Sequence, residues 1–296
     1  MTFATARGRR LINLGVALTM GATVLGAPSA VAAAPPEGAY WHTRGLSMST
    51  HPWRFGTKAD PYSLAQGEIS ESWGAPDGRE WFGYRKLGTL PKSTADKKAW
   101  QRDGSPSRWS ESIDGKTVKL SAEPAKGSMF PVRKERNQFS FAGQWLTYDE
   151  VQRLPADVNR LKDWITRAGV VGRETDTVGW LRVTLVELLH ALPAPKEVRA
   201  AAYQALLTLP GMRADGNAKD DLGRPGAAVV IVGSYGTGKK AYSYTERLIV
   251  DTGRMVLLSQ DQTGTGDGNV DAGLSYRKTM IEVGWTDSPP AVPALP

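Results

Sequence analysis

The chain has 296 residues, 37 Lys plus Arg against 30 Asp plus Glu, a formal net charge of +7, 41 % hydrophobic residues and no cysteine. Without cysteine there is no disulfide framework, no thiolate metal site, no cysteine nucleophile and no lipobox for a lipid anchor. A length near 300 bounds the chain at one or two domains, with enough apolar residues for a real core in either case.

Residues 1–32 read as a signal peptide. Arg7, Arg9 and Arg10 precede an uncharged apolar run from Leu11 to Gly26, and Ala30-Val31-Ala32 supplies small residues at the cleavage positions. Asn13, Gly15 and Thr19 dilute the run below the roughly 20 apolar residues that a stable span needs, so cleavage is expected, with an uncleaved membrane anchor as the alternative. The Arg9-Arg10 pair lies in a poor context for a twin-arginine signal, which leaves the general secretory route. Cleavage leaves a flexible N-terminus at 33–39. Removing three arginines and no acid takes the net charge from +7 to +4. Acids and bases are interleaved, with no basic block beyond Arg133-Lys134-Glu135-Arg136, so no nucleic-acid groove is expected and an anionic envelope surface is the more natural neighbour.

From Tyr40 to Tyr148, short aromatic-rich runs cut by turns predict antiparallel strands. Pro76 and Gly78 provide the fixed and the positive φ of a tight reversal between Trp73 and Trp81. A second hairpin centres on Asp114-Gly115, with Trp109, Glu111 and Ile113 alternating before it. Residues 88–106 carry little periodicity and read as a long exposed loop. The period then becomes helical: Thr147 to Glu150 form a capping-box pattern, Asp157 caps a helix whose C′ glycine is Gly169, and Leu181, Leu185, Leu188, Leu189 and Leu192 make one stripe over 177–192. A third helix opens at Pro195 and ends at Pro210-Gly211. Four β-rich runs follow, at 227–232, 241–250, 255–259 and 274–285, before a Pro-rich tail at 287–296 expected to be disordered. The order strands, helices, strands lacks βαβ alternation. The expected fold is α+β: a curved, half-barrel-like antiparallel sheet with about three central helices packed on one face, as a single domain over 40–286.

Leu209-Pro210-Gly211-Met212-Arg213, Asp220 to Gly226 (DDLGRPG) and Leu248 to Arg254 (LIVDTGR), with Tyr40 to Arg44 and Ala201 to Leu206, resemble an uncharacterised family of actinobacterial exported or membrane-anchored proteins. The resemblance implies a fold similar to periplasmic lipoprotein carriers and envelope sensors. It implies no catalytic residue.

Motifs with apparent chemistry have plainer readings. Gly233 to Lys239 fits the Gly-x4-Gly-Lys frame of a phosphate loop, but Lys240 stands where a magnesium-binding hydroxyl is required, and strand periodicity follows where a helix is required; a hairpin loop is expected. Asp251-Thr252-Gly253 occurs once where an aspartic protease needs two copies, so a hairpin turn is expected. Asp267, Asn269 and Asp271 have calcium-loop spacing, but Ala272 replaces the required Gly and Lys278 the bidentate Glu. His42, His51 and His190 show no metal spacing. No cofactor and no metal are expected.

Seven of ten tryptophans lie between residues 40 and 148, where they fill a β-rich core or line a ligand cavity. The leading expectation is a non-enzymatic exported cell-envelope protein that binds an apolar ligand or an envelope protein between sheet and helices, with Trp73, Trp81, Trp109, Leu185 and Leu189 in the lining. The alternatives are a carbohydrate- or cell-wall-polymer-binding module using exposed N-terminal Trp such as Trp53 and Trp100, and a hydrolase using Asp251. After leader cleavage the chain is expected outside the cytoplasm with no membrane span.

Overall fold

The computed structural model describes residues 35–113, 115–134, 136–172, 176–235, 242–266 and 274–296. The leader, Asp114, the end of the phosphate-loop frame and the Asp267 to Asp271 segment lie outside the described residues. Three long strands come first: β1 (Tyr40–Gly56), β2 (Pro61–Gly74) and β3 (Glu80–Pro91). The reversal between β2 and β3 is the one that Pro76 and Gly78 predict, with Trp73 opposite Trp81. Gly78 adopts φ 83°, and a Cβ on it would lie 2.1 Å from the Asn137 carbonyl oxygen, so only glycine fits.

The segment expected as a long loop instead finishes β3 and folds into α1 (Thr94–Arg102), capped by Ser93, whose hydroxyl accepts from the Asp96 amide. β4 (Arg108–Ile113) and β5 (Lys116–Ser121) form the second expected hairpin, but as a two-stranded sheet of their own. This hairpin and α1 pack over the start of β2. Phe55, Tyr62, Leu64, Ala99 and Trp109 make a second core there, and the Trp109 indole donates to the Tyr62 hydroxyl at 3.0 Å.

β6 (Ser128–Pro131) extends the sheet beyond β3, and β7 (Phe139–Phe141) pairs with β8 (Gln144–Leu146). Four helices follow: α2 (Tyr148–Gln152), α3 (Val158–Gly172), α4 (Thr177–Leu188) and α5 (Lys196–Leu207). Thr147 and Glu150 complete the expected capping box, and Asp157 accepts from the Asn159 and Arg160 amides. Gly169 is not the C′ residue expected of it, because α3 runs on to Gly172. Its role is packing: a Cβ there would stand 2.5 Å from the Trp180 indole nitrogen.

β9 (Met212–Lys219), β10 (Pro225–Tyr235), β11 (Tyr242–Asp251), β12 (Val256–Gly266) and β13 (Leu274–Thr286) complete the main sheet. Its nine strands run in the order β6-β3-β2-β1-β13-β12-β11-β10-β9, every pairing antiparallel. β10 and β11 pair as a hairpin, so a strand follows Lys240 where a phosphate loop needs a helix. The result is the expected α+β fold, an open, half-barrel-like antiparallel sheet, with five helices among the described residues where about three were expected. Leu161, Ile165, Leu185, Leu188, Leu189 and Leu206 are fully buried between the helices and β10 to β12. No helix among the described residues is long and apolar enough to cross a membrane.

Two details shape the surfaces. The Pro-rich tail, expected to be disordered, lies along the sheet: Pro293 is buried, 2.9 Å from where a Cβ of Gly83 would be, and Arg44 donates to the Ala294 carbonyl at 3.0 Å. A bare glycine in β3 makes the shallow seat that a proline ring needs. Second, the β12–β13 ladder ends at Ser259 and Thr279, while β1 stays paired with β13 as far as Thr286. The sheet is therefore split at one end. The Leu257 amide turns inward to the Leu189 carbonyl at 3.0 Å instead of to β13.

Candidate functional site

The face of β1 to β3 that meets the helices carries Trp41, Thr43, Ser72, Gly74 and Phe82, because these positions alternate in register across the three strands. The last turn of α4 and the residues after it meet this face, and Trp41 ties the two layers by donating its indole N–H to the His190 carbonyl at 2.9 Å. The contact is incomplete. Between sheet and helix lies a cleft of about 330 Å³, lined by Trp41, Phe82, Phe130 and Phe139 together with Glu80 and Glu187. A second cavity of about 330 Å³ opens on the other side of Glu187, where Arg182 and Val186 of α4 and His190 just beyond it face Glu246 and Gln260 of the sheet.

The charged groups around these cavities are not equivalent. Glu80 is neutralised by Lys134 Nζ at 2.7 Å. Glu246, itself 1 % exposed as a side chain, is paired with Arg182 and accepts from the Gln260 amide at 2.6 Å. Glu187 has no hydrogen-bond or ion-pair partner among the described residues, and burial, with the Glu80 charge second, pushes its carboxyl up to about 7. One turn later, His190 shares the Val186 carbonyl at 3.1 Å, and burial, with nearby Lys278 second, pushes its ring down to about 3. The first cleft thus offers aromatic walls and one unpaired carboxyl poised near neutrality, and the cavity behind that carboxyl adds one neutral imidazole. That chemistry suits holding a donor group beside apolar surface.

No family model matches the chain. No curated protein matches it either. Among solved structures, a beta-barrel-like protein of the domain of unknown function DUF1849 from Brucella abortus aligns over 84 % of this chain and 99 % of that one, at 9 % identity and a TM-score of 0.15, too low for any inference.

Of the residues expected to line a site, Trp73 and Trp81 touch the first cleft, but strand alternation places their rings on the opposite face, where Trp73 stacks on His42 at 4.9 Å and Trp81 meets Tyr40 edge to face at 5.7 Å. Leu185 and Leu189 do not reach the cleft, since both are fully enclosed in the main core. Trp109 belongs to the second core and never approaches α4. Glu187 went unnoticed in the sequence, although a lone acid inside the apolar run of α4 was a readable signal. The tryptophans proposed as an exposed platform do not form one: Trp53 and Trp100 are half-buried, and Trp100 donates to the Pro106 carbonyl at 2.9 Å. Asp251 spends its carboxylate on its own turn, accepting from the Gly253 and Arg254 amides at 2.8 and 3.0 Å. Among the described residues no three His, Asp or Glu side chains gather as a metal site.

Proposed function

We propose that this chain is a non-enzymatic binding protein of the cell envelope that holds an apolar molecule bearing a hydrogen-bond donor or a cation between α4 and strands β1 to β3. The observation that carries the reading is the cleft lined by Trp41, Phe82, Phe130 and Phe139 with the unpaired Glu187 at its inner end. Aromatic walls supply affinity through buried area, and the single carboxyl supplies orientation. The leader-like residues 1–32 and the resemblance to exported actinobacterial proteins support an extracytoplasmic location for it. N-terminal sequencing of the protein from culture supernatant and from washed membranes tests that part, since full-length chain found only in membranes would overturn secretion.

The binding reading is tested with N-phenyl-1-naphthylamine, a neutral apolar fluorophore, displaced by a long-chain alkylamine or by the alkanoate of equal length. The amine is expected to displace it at lower concentration. Ala191→Trp, at an exposed position on the cleft rim, is expected to weaken probe binding about tenfold or more by filling the space. Unchanged binding in that variant would remove the cleft as the site.

A further inference from the structure

The split between β12 and β13 opens a second kind of cavity. From Met280 onward the edge of β13 that faces β12 is unpaired, and guanidinium groups take up its carbonyls. Arg224, held by the buried Asp220 at 2.5 Å, donates to the Met280 carbonyl at 2.5 Å, and Arg254 donates to that of Val283 at 2.6 Å. Between this edge, the β11–β12 turn and the start of α5 lies a space of about 730 Å³. Its walls carry Lys196, Arg199 and Arg254 with Trp41 and Trp285, the two rings meeting edge to face at 5.8 Å. The Arg199 guanidinium stands 5.4 Å above the Trp41 ring.

Three cations on one cavity call for anions, and the protein supplies few. Arg199 points one N–H from each of its three nitrogens at the neutral carbonyls of Met255, Ala194 and Arg254, which leaves two of its five N–H groups for a ligand. None of Lys196, Arg199 and Arg254 has a carboxylate within ion-pair distance among the described residues. Two acids share the lining: Glu282 is taken by His42 Nδ1 at 3.2 Å, and Glu37 is exposed. Burial, with the like charge of Arg254 second, lowers the Arg199 pKa from its usual value, and the charges of Glu197 and Glu37 offset this only in part.

We propose that this cavity binds the phosphate group of an organic molecule, with the rest of that molecule lying against Trp285. Two guanidiniums and an ammonium match a dianionic oxyanion better than a single carboxylate. The space far exceeds a bare phosphate and falls in the range of small-ligand sites. The plain alternative is that Arg199 and Arg254 only brace backbone carbonyls, and Lys196 separates the two readings because it makes no hydrogen bond among the described residues.

The probes are phenyl phosphate, inorganic phosphate and phenol, titrated calorimetrically into the full chain, with sedimentation on phosphatidylglycerol vesicles as a parallel arm. Phenyl phosphate is expected to bind at one saturable site, more tightly than inorganic phosphate, while phenol gives no heat. Lys196→Gln and Arg254→Gln are each expected to weaken it about tenfold or more, and Lys196→Gln to leave the melting temperature unchanged. Vesicle binding that Lys196→Gln abolishes, without binding of the soluble probe, places the phosphate on a lipid headgroup; binding of the soluble probe alone places it on a free ligand. If neither phosphate source binds, or if Lys196→Gln binds as the wild type does, the proposal fails.

Discussion

Glu187 in the last turn of α4 and His190 three residues later, just beyond the helix, respond to pH in opposite senses. A carboxyl whose folded pKa stands at about 7, above its usual 4.5, holds its proton more tightly in the native chain. Its contribution to stability is therefore full below the unfolded value and is lost as pH rises through the folded one. His190, lowered from 6.5 to about 3, contributes fully above its unfolded value and loses that contribution as pH falls. Glu187→Gln, which fixes the uncharged form, is expected to stabilise the protein by about 1–2 kcal/mol at pH 8 and to change little at pH 4.5 in urea denaturation, the half-buried setting keeping the gain below the full shift. Gly169 makes a separate case. Alanine is the better helix former by about 1 kcal/mol, yet its methyl group would meet the Trp180 indole at 2.5 Å. Gly169→Ala is expected to lower stability by about 1–2 kcal/mol on balance; a gain would show the glycine to be a helix-end residue after all. The role of each residue, though not the oddity of an acid in an apolar run, was hard to read in sequence for one reason. A glycine near a helix end and an acid on an amphipathic helix take their meaning from partners, Trp180 and the sheet, that periodicity along the chain does not encode.

At the level of elements, pattern and turn chemistry were legible wherever both agreed. The β2–β3 and β4–β5 hairpins, the Thr147 capping box and the stripe of α4 were all visible in sequence, because Gly78, Glu150 and Leu185 each answer a local demand. α1 was not, since it is short, polar and buries only Ala99, leaving the Ser93 cap as its one signal. β9 was not, because the alternating positions Ala214, Gly216 and Ala218 are small residues of low strand propensity, so its pairing comes from β10. The fate of Trp109 was likewise out of reach: a hairpin can be recognised locally, but not which core it will join. The three motifs behind the sequence resemblance do gain a shared meaning. Gly211 passes close to the Val232 carbonyl, Asp220 and Arg224 plug the split beside β13, and Asp251 shapes the turn that aims Arg254. The plug is testable. Arg224→Ala leaves the Asp220 carboxylate, 0 % exposed as a side chain, without its cation, and about 3 kcal/mol or more of stability is expected to be lost in chemical denaturation. Asp220→Asn in the same background should recover part of it; no recovery would mean that the carbonyl contacts of Arg224 matter more than its charge.

For the whole molecule, the described residues fall in one compact unit, and its strand order has a kinetic consequence. Among the described residues β13 alone joins β1 to β12, so the sheet is two sets of strands close in sequence clasped by a thirteen-residue strand. Pairing Tyr40 with Thr286 closes a loop of nearly the whole described chain, and such closure is slow compared with hairpin formation. Refolding followed by tryptophan fluorescence is expected to show a fast phase and a slower one, with the slow phase absent from a chain truncated after residue 273. A single phase common to both chains would contradict it. Until β13 arrives, neither the clasp nor the cation-lined cavity beside it exists, and the order of the strands postpones completion of the sheet until its last strand has been made.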